Sequence, residues 1–536
     1  MKTDNTKMTR RSFVAGMGSV AAVAALGLAG CSSSGSDSSG AGSSDASTSG
    51  SALKDELHIA ISANPPSLDP QSVNSNIVGG IGYHIYEPLF AMDEDYNPTP
   101  VLAESYEVSD DGTEYTIALR QGVLFHDGTE MTADDVVASL NRWVEVSGKA
   151  STLLAGTTFE KVDDYTVKMT PNEVASDTMN IVAIPITWGA IYPASVVEAE
   201  TDEGLGDYIG TGPYKLVEWK QDQYVLLERN EDYQASPDAS TGLAGVKNAA
   251  TQYIYFDVVT ESSTRIAGIQ SGEYDIAEEI PTENYDELEL DENLTLDTGK
   301  GGTLNLFLNT TEGIMANQDM RQAILAALNC DDIMLASFGN EELYEIDCGW
   351  CDPDDANWGS DAGSEYYNQN DPDKAAELLE SAGYADESIV LVTTEDYPEM
   401  YSATLVVQEQ LKNAGINADV ETYEFETFME HRSDPEQFSL FITSNSYNSL
   451  PIQLSVLDSS WAGLEAQEVT DGIEAIRFAE DQEAASAAWD DLQEFLYEYG
   501  AATVLGHYTG VYAMSVNVDG FFYQRFPIYW NVTVAE

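Results

Sequence analysis

Apolar and polar positions alternate early in the chain. Tyr115, Ile117 and Leu119 are interleaved with Thr116, Ala118 and Arg120, and Tyr165, Val167 and Met169 repeat the pattern. A period of two places one face of a strand against a core. After Thr132 the period becomes helical: Val136, Val137, Leu140, Trp143 and Val144 share a face, and Asp135 completes a capping box with Thr132. Segments 214–219 and 224–228 predict a hairpin around Lys220-Gln221-Asp222-Gln223. A helix is expected over 319–338, with Met320, Ile324, Leu325 and Leu328 inward. Farther on, Asp371-Pro372 opens a helix that Gly383 closes. Then 389–394 reads as a strand, 398–414 as a helix ending at Gly415, and 418–425 as a strand. A strand–helix–strand unit of this kind builds parallel sheets, so the fold class is α/β.

At 536 residues the chain is too long for a single core and predicts several domains. Its 93 acidic and 22 basic residues leave a net charge of −71. Nucleic-acid binding is excluded, because neutralising phosphates takes clustered Lys and Arg. Direct adhesion to anionic lipid is disfavoured for the same reason. With 29 Tyr, 16 Phe and 8 Trp, the chain is too aromatic to be a disordered acidic polymer. The acidity favours solubility and names no ligand.

The first thirty residues read as an address. Lys2, Lys7, Arg10 and Arg11 precede a small-residue apolar run from 14 to 30 that is shorter than the ~20 residues a membrane span needs. Thr9-Arg10-Arg11-Ser12-Phe13 resembles a twin-arginine export signal, and Leu28-Ala29-Gly30-Cys31 a bacterial lipobox in which Cys31 accepts lipid. Segment 31–52 is rich in Ser and Gly, a flexible tether spanning roughly 25 Å. The expected location is the outer face of a bacterial cell membrane or the cell envelope, on a lipid anchor.

From Leu53 onward a series of motifs resembles one family nearly end to end: Pro66-Ser67-Leu68-Asp69-Pro70, Ile85-Tyr86-Glu87-Pro88-Leu89-Phe90, Gly122-Val123-Leu124-Phe125-His126-Asp127-Gly128-Thr129, Gly210-Thr211-Gly212-Pro213-Tyr214 and Met320-Arg321-Gln322-Ala323-Ile324. The block around His126 is the most specific of them. The chain is similar to the extracellular solute-binding proteins of family 5, which serve peptide-type ABC importers. That resemblance implies a type II periplasmic-binding-protein fold, two-lobed and hinged, with an extra insert domain. Lobe I would comprise 53–85, 206–300 and 500–536, the insert 86–205 and lobe II 301–499. It further implies a monomer without cofactor or catalytic activity. The chain would capture a peptide or other small polar organic ligand and deliver it to permease subunits. A carrier of a metal complex or haem is the alternative within binding, although no His/Met cluster recommends it. A receptor that senses solute without transport is not separable from an importer here.

His126-Asp127-Gly128 suggests acid–base chemistry, but an Asp-Gly turn explains it better. Cys348-Gly349-Trp350-Cys351 suggests thiol–disulfide exchange. The acidic residues that follow would raise a thiol pKa, so a structural Cys348–Cys351 disulfide is expected instead. Cys330 reads as a buried small apolar side chain. Asp352, Asp354, Asp355, Asn357 and Asp361 do not have EF-hand spacing, and no metal site is assigned.

The resemblance places one wall of the cleft at 63–66, including Asn64 and Pro66. A second wall is the loop 442–449, with Ser444, Asn445 and Tyr447. Trp188, Trp350, Tyr447 and Tyr508 are candidate stacking surfaces. Peptide-binding relatives often carry an Asp in the second wall for the ligand's ammonium; this loop has none, which favours an uncharged polar ligand unless another acid such as Asp347 substitutes. No arginine in the central segments stands out to hold a ligand carboxylate.

Overall fold

The computed structural model describes residues 52–201, 204–236, 241–448 and 450–536. The leader over 1–30, Cys31 and the tether to position 51 lie outside the described residues. Among the described residues no helix is long and apolar enough to cross a membrane.

Two long antiparallel strands, Leu294–Leu308 and Ala502–Ser515, form the middle of an 11-stranded sheet. Beyond Leu294–Leu308 lie Leu440–Asn445, Ile389–Thr394 and Ala418–Tyr423. Beyond Ala502–Ser515 lie Ile276–Ala277, Glu56–Ile61, Tyr253–Val258, Tyr224–Arg229 and Tyr214–Lys220. Tyr344–Glu345 pairs onto the second long strand off this path. Both long strands serve two halves of the sheet. The stretch 303–308 pairs with Leu440–Asn445, whereas 513–514 pairs with Ile276–Ala277.

The register between the long strands slips between Lys300 and Gly302, so Gly301 bulges where the two halves meet. A Cβ on Gly301 would lie 2.4 Å from the Tyr508 ring, and one on Gly302, at φ 153°, would lie 1.9 Å from the Asn445 carbonyl oxygen. Only glycine permits this approach.

The predicted strand–helix–strand unit is present. Ile389–Thr394 and Ala418–Tyr423 pair in parallel from Ile389↔Ala418, bridged by the helix Pro398–Asn413. The hairpin is also present, as Tyr214–Lys220 against Tyr224–Arg229. Tyr115, Ile117 and Leu119 bury one face of a separate four-stranded sheet over 103–170. The helix Ala133–Val146 supplies Val136, Leu140 and Trp143 to the same core.

Two expectations fail locally. The helix expected over 319–338 is two helices, Gln318–Ala327 and Cys330–Phe338. Leu328 is extended and Asn329 caps the second helix by accepting the Asp332 N–H at 3.3 Å, while its own N–H donates to Gln410 Oε1 at 3.0 Å. An Asn inside an apolar run is thus a start signal. The strand expected to reach 425 stops at Tyr423, because Phe425 begins a helix and its N–H donates to Asp396 Oδ2 at 2.8 Å.

The charged residues inside the sequence motifs hold the fold together. Asp69 takes Arg142 at 2.8 Å and the Tyr192 hydroxyl at 2.7 Å, while Arg142 also reaches Gln71 at 2.6 Å and Glu200 at 2.5 Å. Glu87 accepts from Lys247 at 3.1 Å, Thr211 at 3.0 Å and Tyr233 at 2.9 Å. Both side chains of the Lys247–Glu87 pair are 1% exposed. His126 lies between the Gly212 carbonyl at 3.0 Å and the Gly210 N–H at 3.3 Å, and Asp127 accepts the Thr129 N–H at 2.9 Å, so the His-Asp-Gly segment is a pinned turn.

Candidate functional site

The slip at Gly301 turns Lys300 toward a cavity of about 790 Å³, which Tyr96, Asp297, Asp354, Tyr523 and Arg525 also line. A narrower recess adjoins it, walled by Tyr96, Pro185, Lys300, Tyr447, Asn448 and Arg525. These residues come from distant parts of the chain. Lys300 lies on a long strand, Tyr447 and Asn448 follow the strand Leu440–Asn445, and Arg525 lies between the short strands Phe522–Gln524 and Phe526–Ile528. A ligand that spans the cavity and the recess would touch Lys300 on the long strand and Tyr447 and Asn448 beyond Leu440–Asn445 at once.

Lys300 donates to Asp352 at 2.6 and 2.7 Å and to Asp354 at 2.8 Å. Burial alone would lower its pKa, but these hydrogen bonds outweigh it and raise the value. Asp355 accepts the N–H groups of Asn357 and Trp358. The acidic run after Cys351 is therefore committed to an ammonium and a turn. Among the described residues no group of three or more His, Cys, Asp or Glu is placed to hold a metal ion.

The second-wall residues gather near the slip. Tyr447 Oη and His507 Nδ1 share a hydrogen bond of 2.5 Å. Tyr508 stacks on Phe338 with ring centroids 5.3 Å apart. Asn445 Oδ1 accepts from Asn305 at 2.9 Å, and Ser444 Oγ donates to Glu399 at 3.5 Å. Glu399 is half-buried, burial raises its pKa, and among the described residues no ion pair engages it. It puts a carboxylate beside a loop that has none of its own. Pattern reasoning missed it, because Pro398-Glu399 reads as the first turn of a helix, where acids are common.

Other expected residues lie elsewhere. Asn64 accepts the Asp222 N–H at 3.1 Å and donates to the Pro65 carbonyl at 3.2 Å, pinning a hairpin tip. Pro66 is exposed, and neither residue lines the cavity. Trp188 is 1% exposed, with its ring centroid 4.2 Å from that of Tyr83. Trp350 is likewise buried between Phe307 and Tyr497. Both tryptophans are core residues with no free face.

The expected Cys348–Cys351 bridge is not formed; both are free and buried, as is Cys330. Hydrogen bonds pin the segment instead. The Cys348 carbonyl accepts the Tyr497 hydroxyl at 2.7 Å, and the Trp350 N–H donates to Gln493 at 3.1 Å. Burial and, after it, the Asp347 charge push the Cys348 thiol up to about 11. Burial with Asp355 and Asp352 pushes Cys351 well above its usual value. Neither thiol supplies the thiolate that disulfide exchange requires.

Comparison with known proteins follows this geometry. Residues 97–461 match the family model described as bacterial extracellular solute-binding proteins, family 5 Middle. A probable peptide ABC transporter periplasmic-binding protein, y4tO of Sinorhizobium fredii, is 26% identical over 87% of this chain and 91% of its own length. The glutathione-binding protein GsiB of Salmonella paratyphi A is 31% identical over 69% of each chain. The crystal structure of the ABC transporter substrate-binding protein CtaP from Listeria monocytogenes superposes with a TM-score of 0.78 at 21% identity, covering 90% of this chain and all of that one. The fold is thus the two-lobed, hinged α/β fold of type II periplasmic binding proteins.

Proposed function

Because this chain belongs to the bacterial extracellular solute-binding proteins of family 5, we propose that it is the capture component of a peptide-type ABC importer. It encloses a peptide or other small polar organic molecule between its lobes and presents it to the permease, without chemistry of its own. The lobes are 53–85 with 206–300 and 500–536, and 301–499, with an insert at 86–205. They hinge at the Lys300–Gly302 slip. The chain is exported by the twin-arginine signal, lipid-anchored through Cys31 at the membrane's outer face, and works as a monomer.

The observation that carries this reading is the cavity of about 790 Å³ with its adjoining recess, beside the slip in the two long strands, where Tyr447 and Asn448 share the recess with Lys300 and Arg525. A ligand that touches both halves stabilises the closed state over the open one, which gives the permease a signal to read. A peptide is favoured over an uncharged ligand by Glu399, a half-buried carboxylate that accepts from Ser444 and stands in no ion pair among the described residues. It replaces the missing loop Asp, and Tyr447 of the same wall lines the recess.

Native mass spectrometry on protein lacking residues 1–31, purified gently, tests the reading. An adduct that is released on denaturation and fragments as a peptide is expected. A haem or metal-complex mass would move the assignment to that carrier class instead.

A further inference from the structure

We propose that Lys149 and Arg525 form an anion-binding corner of the cleft, and that the transported solute carries a carboxylate there. This rests on the solute-binding reading above and adds the charge class of the ligand.

The starting point is scarcity. The chain has 22 Lys and Arg against 93 Asp and Glu, so a cation without an acid beside it is unexpected. Half of the described cations find one, Arg142, Lys161, Lys168, Lys220, Lys247 and Lys300 among them, and several of the others, such as Arg120, Arg265 and Arg321, are spent on backbone carbonyls. Lys149 and Arg525 have neither. Lys149 donates only to the neutral Asn448 Oδ1, at 3.2 Å. The Arg525 guanidinium has no hydrogen-bond or ion-pair partner among the described residues. The polar side chains that act on it are three phenols, those of Tyr523, Tyr508 and Tyr96, which are uncharged at neutral pH.

Lys149 also senses the Arg525 charge. Burial and, after it, the Arg525 charge lower the Lys149 ammonium to about 8, and burial lowers Arg525 as well. Two half-buried like charges left unpaired cost free energy. Arg525 carries a further cost, since its backbone is held at φ 67° in the left-handed region. Among the described residues no ion pair offsets these costs, whereas an anion seated between the two groups would. Arg525 lines both the main cavity and the recess, and Asn448, the partner of Lys149, lines the recess. The third cation at this place, Lys300, is already neutralised by Asp352 and Asp354.

A planar guanidinium with an open fork favours a carboxylate, which it can grip through two parallel hydrogen bonds. Lys149 reaches this place from the end of the helix Ala133–Val146, and Asn448 from the loop after Leu440–Asn445. A carboxylate held by Lys149, Asn448 and Arg525 therefore ties separate parts of the molecule together. It would serve closure as well as affinity.

The test uses two randomised tripeptide libraries, one with free C-terminal carboxylates and one amidated, and reads retention by native mass spectrometry. Wild type is expected to retain members of the free-acid library at least tenfold better than amidated ones. Arg525→Gln and Lys149→Gln should each lose about tenfold or more of that retention without any fall in the thermal midpoint. Arg525→Lys should restore part of it. Equal retention of both libraries, or full retention by both Gln variants, overturns the proposal. If neither library is retained, the peptide reading fails by itself, and the corner is then read with citrate at constant ionic strength. A citrate-induced rise in the wild-type midpoint that Arg525→Gln abolishes upholds it; no rise overturns it.

Discussion

Two polar regions of this molecule use the same residue types to opposite ends. Around Asp69 and Glu87, every charge is matched: Arg142 grips Asp69 and Glu200, and Lys247 grips Glu87. At the recess, the Arg525 charge lowers the Lys149 ammonium, Lys149 donates to the neutral Asn448, and neither cation stands in an ion pair among the described residues. The first arrangement is closed and holds chain segments from remote positions in place. The second leaves its charge unmet, the arrangement proposed above to receive a ligand. The difference teaches that burial of charge is informative only together with its partner list. A satisfied pair argues for architecture, and an unsatisfied one in a cavity argues for binding.

The contrast can be broken most forcefully in the matched region. Lys247→Met strands the Glu87 carboxylate in the core, and should cost about 3–5 kcal/mol of unfolding free energy in urea melts. Arg525→Gln should shift the same curve by under about 1 kcal/mol, because no native partner is lost. A large loss on Arg525→Gln would mean that the corner is architectural too.

Next in size is the strand slip that brings the cleft together. Gly302→Ala places a methyl against the Asn445 carbonyl at 1.9 Å. It should lower stability by roughly 1–3 kcal/mol and weaken ligand retention, since Asn445 leads into the loop that carries Tyr447. Chemical denaturation and retention on the same samples would check both.

The smallest effect is a pH gradient in the ligand-free protein. The folded-state pKa of Lys149 lies at about 8, below its ordinary 10.5, so the unfolded chain binds this proton more tightly. Its unfavourable contribution is full below pH 8 and fades as pH rises from about 8 toward 10.5. Wild type should therefore gain stability relative to Lys149→Met across that window. Anion binding should change oppositely, weakening as Lys149 deprotonates. Parallel stability curves for the two proteins would contradict the burial of this ammonium.

Much of the fold was legible because it is local. The alternation at Tyr115, Ile117 and Leu119, the cap at Thr132 and the Pro398-to-Gly415 helix each depend on a few neighbouring residues. The break at Asn329 was misread because an N-cap and a polar residue in a continuous helix look alike until Gln410, 81 positions away, is seen to take its N–H. The cleft was far less legible. Trp188 and Trp350 resemble stacking surfaces on paper, and only packing against Tyr83, Phe307 and Tyr497 shows them as core. Arg525 was invisible for the converse reason: near the chain's end, between aromatic residues, nothing in its neighbourhood points to a loop some eighty residues upstream. The one signal within reach of the sequence was compositional, a cation without nearby acids in a strongly acidic chain.

The most direct test is a crystal structure of the protein with its copurified or library-selected ligand. The prediction is a ligand inside the cavity bounded by Lys300, Tyr96 and Tyr523, with a carboxylate in hydrogen-bond contact with the Arg525 guanidinium and the Lys149 ammonium. A ligand seated elsewhere, or one whose anionic group faces away while Arg525 and Lys149 remain unpartnered, would contradict it.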